Sequence, residues 1–316
     1  MINITIPPKT RGLKIPWSKD LQQNWTLYLL FIPTAVYFIV FNYIPMFGIL
    51  IAFEDFKVSK GVFGSRWVGL QNFIDLFTGE TFPLAMRNTV AMAMLNLTIG
   101  FVLPIIFAIF ISEIQNKKFK RVIQIITYMP HFVAAVVVAQ LVREFVGSKG
   151  AITQLLTIFG FEQQNWLANP QIPVFWLINL FTGVWQEIGF GSIIFVAAIA
   201  NVSQEFHEAA AVDGASRFQR IIGITLPTIK PLIIMLFVLR CGLFFTVGFD
   251  KILLLYMPST YVTADVLSTY TYRMAFSGAA NYGLSTASGL FQSIASLLLL
   301  ITSNTLSKKL SKTSLF

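Results

Sequence analysis

The sequence predicts an all-α, polytopic membrane protein with six transmembrane helices and both termini on the cytoplasmic side. Three observations lead there. Of 316 residues, 55% are hydrophobic and only 12% charged, with 31 Phe and a mean hydropathy of +0.71, a composition suited to lipid rather than to a soluble enzyme. Six stretches approach or exceed the roughly 20 mainly apolar residues that a helix needs to cross a bilayer. Lys and Arg gather in the N-terminal tail, in alternate connectors and at the C-terminus, the asymmetry that marks the cytoplasmic side.

Residues 1–24 read as a cytoplasmic tail, broken by Pro7, Pro8 and Pro16 and carrying Lys9, Arg11, Lys14 and Lys19. It lacks the short apolar core and small-residue cleavage site of a secretory signal, so it is expected to stay as an uncleaved anchor. Trp17 and Trp25 suit the membrane interface. A membrane domain of residues 25–306 follows, its spans predicted at 25–53, 84–112, 122–146, 173–200, 231–249 and 284–306. Pro33, Pro45, Pro104 and Pro130 fall in or near these spans, where neighbouring helices satisfy the carbonyls that proline frees. Lys117, Lys118, Lys120 and Arg121 join the second span to the third; Arg217, Arg220 and Lys230 flank a polar connector, 201–230. Residues 307–316, with Lys308, Lys309 and Lys312, form a C-terminal cytoplasmic tail. The net charge of +9 is spread over these segments, which reads as topology and contact with anionic lipid rather than nucleic-acid binding. The single Cys241 and the two distant histidines, His131 and His207, exclude an intrachain disulfide and give no metal cluster.

The connector 201–230 is the most informative segment. Residues 203–213 predict a short helix, Gly214 suits the left-handed residue that ends one, and Ser216 caps a second helix that Pro227 is expected to stop after Leu226. Consecutive alanines keep the first helix slim, so another protein can approach its backbone, and Glu208 offers a charged acceptor. Glu208-Ala209-Ala210, three residues, Gly214, nine residues and Ile224-Thr225-Leu226-Pro227 together resemble the cytoplasmic signature loop of bacterial ABC importer permeases. Trp67-Val68-Gly69-Leu70-Gln71-Asn72-Phe73 and Arg87-Asn88-Thr89 resemble sugar permeases. Glu113 to Arg121, Tyr128-Met129-Pro130-His131-Phe132 and Val247-Gly248-Phe249-Asp250 resemble the LplB-type branch of carbohydrate permeases.

The resemblance implies the type I (MetI-like) importer fold in a bacterial cell membrane and the import of an oligosaccharide or polysaccharide fragment. It also implies a second, unlike permease subunit, a cytoplasmic ATPase dimer and an extracytoplasmic substrate-binding protein. Spacing alone leaves a homodimer open. Coupling to the ATPase would fall on Glu208, Ala209, Ala210, Asp213, Gly214, Leu226 and Pro227. No Gly-Lys dipeptide occurs, so this chain has no P-loop; it is expected to be no enzyme and to bind no cofactor, with ATP and Mg held by the ATPase subunits.

Intramembrane ionisable groups are default functional candidates, and Glu187 and Arg240 both fall inside predicted spans, where they are able to pair. Sugar binding favours aromatic faces with amides and carboxylates beside them, chemistry that Asn179, Trp185, Gln186, Phe249, Asp250 and Tyr270 supply; in a chain with 15% aromatics, an aromatic inside a helix is more often packed or lipid-facing than in contact with a ligand. Small residues from Gly278 to Gly289 suit close helix packing. Two other classes fit the composition. An ion-driven carrier would show intramembrane acidic or His relays, and a membrane transferase would show an acid or metal cluster; neither accounts for the signature loop. Within the importer class, an amino acid or peptide remains the alternative solute.

Overall fold

The computed structural model describes residues 16–276 and 278–311. Lys9, Arg11, Lys14, Lys312, Pro7 and Pro8 lie outside them. The chain divides into two compact units, Met1–Leu50 and Ile51–Phe316.

In the first unit a short helix, Trp17–Gln23, precedes the long apolar helix that begins at Trp25. Asp20 anchors the joint: its carboxylate accepts from Asn24 Nδ2 at 2.8 Å and from Tyr28 Oη at 2.5 Å. None of the unit's described residues is buried, as befits side chains whose solvent is lipid.

Among the described residues five helices are long and apolar enough to cross a membrane: Trp25–Phe53, Thr81–Glu113, Val174–Ala200, Arg217–Gly242 and Tyr282–Lys309. A sixth crossing is available only as a broken pair, Lys117–Phe132 and Ala135–Ile158, bent by 100°. Here the structure departs from the single span expected at 122–146. Pro130 sits in a 3₁₀ turn, Met129–Phe132, and the chain turns through extended Val133 before helix resumes. A proline removes one helical donor and crowds the turn before it, which ends the α-helix locally although the composition stays apolar.

The fifth span also differs from expectation. Arg217–Arg220, a π-turn Ile221–Thr225 and Leu226–Gly242 form one continuous helix, so Pro227 does not stop it. The reason recurs along the chain. π-turns at Ile39–Tyr43, Asn96–Gly100 and Ile221–Thr225 each contain the residue four positions before a proline, namely Phe41 before Pro45, Gly100 before Pro104 and Gly223 before Pro227. A widened turn moves the carbonyl that the pyrrolidine ring would otherwise strike. At its other end this helix stops at Gly242, not near 249, and a 3₁₀ turn Phe244–Thr246 leads to a short helix Phe249–Leu255.

Within the second unit a small antiparallel pair joins Glu54–Asp55 to Arg66–Trp67, with Trp67 stacked on Phe53 at 5.5 Å. Asn72 Nδ2 donates to the Ala52 and Glu54 carbonyls at 3.0 and 2.9 Å. Three apolar clusters fill the interior. Phe175, Met92, Ala139, Ile252 and Leu255 form one with Ala264 and Val266. Phe82, Leu76, Leu267 and Tyr270 form a second, and Phe101, Ile105, Ala108 and Phe195 a third. Polar ties set the register between them. Asn88 Nδ2 donates to the carbonyls of Val262 and Asp265 at 3.1 and 2.9 Å, and Thr89 Oγ1 accepts from Leu267 N at 2.8 Å. The Arg87-Asn88-Thr89 motif thus fastens the second span to the connector before the sixth. In the sixth helix Ala287 and Ser288 are buried, and Ser285 and Ser288 bond Thr271, the close packing that their size predicts.

Candidate functional site

Two features carry candidate function: the connector around Glu208 and a cavity beside the fourth helix. In the connector, Ser203 caps the helix Gln204–Val212 by accepting from Glu205 N. The helix ends in a Schellman arrangement, with Ala215 N donating to Ala210 O at 2.9 Å, Gly214 N donating to Ala211 O at 3.1 Å, and Gly214 at φ +81°. Ser216 and Gln219 then form a capping box that starts the next helix. His207 joins the two helices: its carbonyl accepts from Arg220 Nη1, and its Nε2 lies 3.5 Å from Thr225 Oγ1. Glu208, Ala209, Asp213, Gly214 and Pro227 are exposed, while Ala210 and Leu226 are half-buried. Beside them Val212, Phe218 and Phe206 are 88%, 70% and 64% exposed, an apolar set that intramolecular packing does not explain. The arrangement is a rigid, two-helix projection with small and apolar side chains around one carboxylate.

The cavity holds about 340 Å³ and is lined by Asn96, Asn179, Gly183, Glu187, Arg240 and Lys251 with the irregular segment from Leu243 to Gly248. Three causes place these groups together. Asn179, Gly183 and Glu187 are four residues apart, hence on one face of Val174–Ala200. The π-turn before Pro104 brings Asn96 and Gly100 to the wall. The early stop of the fifth helix leaves Arg240 in its last turn, where the helix dipole favours a cation, and lets the chain fold Lys251 into the same space. Glu187 is the fourteenth residue of a 27-residue helix, about 20 Å from either end at 1.5 Å per residue.

Glu187 and Arg240 share this cavity, but no ion pair joins them among the described residues. Glu187 instead lies 3.0 Å from His131 Nδ1, and the His131 ring stacks on Phe190 at 3.7 Å. Asn179 is buried, with its Oδ1 unpartnered and its Nδ2 3.7 Å from Met92 Sδ. The other path candidates go elsewhere. Trp185 lines a separate apolar cavity of about 680 Å³ with Phe145, Phe181 and Trp166. Gln186 is buried and outside the lining of either cavity. Phe249 packs edge-on against Tyr272, and Asp250 is exposed. Tyr270, 2% exposed, belongs to the core, beside Phe82 and under the Arg273 guanidinium.

Sequence reasoning missed Lys251, Asn96 and His131 as partners in one place. Lys251 follows the predicted end of a span, where a lysine usually signals an interface, and only the early helix stop turns it inward. Among the described residues no group of three or more His, Cys, Asp or Glu is placed to hold a metal ion.

Residues 100–312 match the family model described as binding-protein-dependent transport system inner membrane component. The protein LplB of Bacillus subtilis (strain 168) is 38% identical over 313 residues, 98% of this chain and 97% of its own. The polygalacturonan/rhamnogalacturonan transport system permease protein YteP of the same organism is 37% identical over 301 residues, 94% of this chain and 92% of its own. Among solved structures, a chain of the bacterial alginate ABC transporter in complex with alginate pentasaccharide-bound periplasmic protein is similar at a TM-score of 0.86 and 38% identity, covering 95% of this chain and 99% of that one.

Proposed function

The chain belongs to the binding-protein-dependent transport system inner membrane components, and on that premise we propose that it forms part of the path by which an ABC importer takes up an oligosaccharide or polysaccharide fragment. Its relatives over nearly full length include a polysaccharide permease, and its structural neighbour is an alginate importer chain, which favours a saccharide over an amino acid or peptide. The chain is a membrane permease subunit, not an enzyme.

The observation that carries the coupling role is the capped helix Gln204–Val212, which presents Glu208 and a rim of exposed Phe206, Val212 and Phe218. Such a surface suits a groove on a cytoplasmic ATPase, with Glu208 accepting from basic or amide groups there. Because the connector runs directly into Arg217–Gly242, movement of the docked loop would tilt the fifth helix as a rigid lever and change access to the cavity at its far end. The basic residues near the connector and at Lys308 and Lys309 support a cytoplasmic placement of this face. A second, unlike permease would complete the path, and an extracytoplasmic binding protein would deliver the sugar. ATP and Mg belong to the ATPase.

The test is capture of the complex through this chain, identification of the co-purifying binding protein, and screening of that protein against saccharides, amino acids and peptides. A saccharide ligand is expected. An amino acid or peptide ligand with no saccharide binding would refute the substrate class.

A further inference from the structure

The cavity beside the fourth helix is unbalanced in charge. Its ionisable lining consists of Glu187, Arg240 and Lys251, two cations against one acid. That acid is already engaged by His131 at 3.0 Å. The side chains of Arg240 and Lys251 make no hydrogen bond or ion pair among the described residues; Lys251 has only the longer-range attraction of Glu187. Its ammonium sits against the wall, 3.4 Å from where a side chain on Gly183 would begin, so a larger residue at 183 would crowd it. Beside it the Oδ1 of Asn179 is buried and unpartnered, and Asn96 adds a second amide. Arg240 is exposed toward the cavity and Lys251 is half-buried in it; two unmatched cations beside the open Oδ1 of Asn179 suit something that brings the missing charge.

We propose that this cavity is a subsite for an acidic saccharide, in which Arg240 and Lys251 receive the carboxylate of a uronic-acid ring while Asn179 and Asn96 bond its hydroxyls. The chemistry fits each part. A guanidinium takes a carboxylate in a fork, an ammonium adds a compact point charge, and an amide both donates to and accepts from a sugar hydroxyl. Glu187, held by His131, would repel a carboxylate from its own wall and so direct it toward the cations. A neutral sugar would leave both cations unmet. This reading rests on the importer function proposed above and specifies its cargo.

The experiment uses the complete importer, purified through this chain and reconstituted in nanodiscs. Equilibrium binding of trigalacturonate is compared with that of the same trisaccharide after reduction of its carboxyl groups to hydroxymethyls. Trigalacturonate is expected to bind at least 10-fold more tightly, with the advantage shrinking as salt is raised. Arg240→Gln with Lys251→Gln should erase the difference between the probes, and Lys251→Arg should keep it. Equal binding of the two probes, tighter binding of the reduced one, binding of neither, or an equal loss of both in the double variant overturns the assignment. Co-purified ATPase and its ATP hydrolysis, measured on the same sample, report separately on the importer reading: a complex that has both but fails the charge test remains an importer for another cargo.

Discussion

Replacing Gly214 separates folding of the membrane domain from function of the connector. Gly214 sits at φ +81°, and no heavy atom lies within 4 Å of where a Cβ would stand. The penalty for an L-residue is therefore backbone strain alone, without a clash. A left-handed conformation costs an ordinary residue roughly 1–2 kcal/mol, a β-branched one at least the upper figure, and Asn much less. About 2 kcal/mol shifts a local equilibrium about 30-fold. The strain acts on an exposed two-helix projection with little core of its own, so it opens the Schellman turn rather than the membrane domain. Reconstituted with its partners, Gly214→Val should insert and melt like the unmodified chain while ATP-driven uptake falls by an order of magnitude or more. Gly214→Ala should fall between, and Gly214→Asn should retain most activity. Unchanged uptake in Gly214→Val with normal ATPase association, or equal losses across all three variants, would show that the left-handed turn at Gly214 does not govern coupling.

Other positions give equally direct expectations. A Cβ on Gly189 would overlap the backbone carbonyl of Thr127, so Gly189→Val should force the fourth helix away from the first arm of the broken pair and destabilise the chain by roughly 1–3 kcal/mol, read as a lower melting midpoint in detergent. Asn88→Leu leaves the Asp265 carbonyl without its side-chain donor and the Val262 carbonyl with Arg87 alone, and should lower the same midpoint by roughly 1–3 kcal/mol. His131→Ala and Glu187→Gln remove the two halves of one contact, so uptake by the double variant should be no worse than by the weaker single variant; additive losses would show that the residues act separately.

Much of this molecule is legible in its sequence, for identifiable reasons. Span count follows from apolar length, and the connector follows from residues whose local preferences agree: Ser203 and Ser216 cap, Gly214 turns left-handed, and alanines fill the helix between. What escapes is whatever depends on tertiary neighbours. The 100° break after Phe132 lies in sequence as apolar as a span, and its stabilising contacts come from Glu187 and Phe190, more than fifty residues away. Pro227 reads as a helix stop because a π-turn around Gly223 is not visible in local propensity. Tyr270 has the chemistry of a sugar platform, yet Phe82 and Leu267 close over it. Lys251 lies just past the predicted end of the fifth span, and only the helix stop at Gly242 brings it into the cavity with Glu187.

Docking of an ATPase on the connector around Glu208 can be read by purifying the chain from its native membrane and identifying what accompanies it, with Glu208→Lys in parallel. An ATPase and a second permease are expected with the unmodified chain, and loss of the ATPase but not of the second permease with the variant. A chain that comes alone in both preparations, or an ATPase that stays bound to the variant, would contradict it.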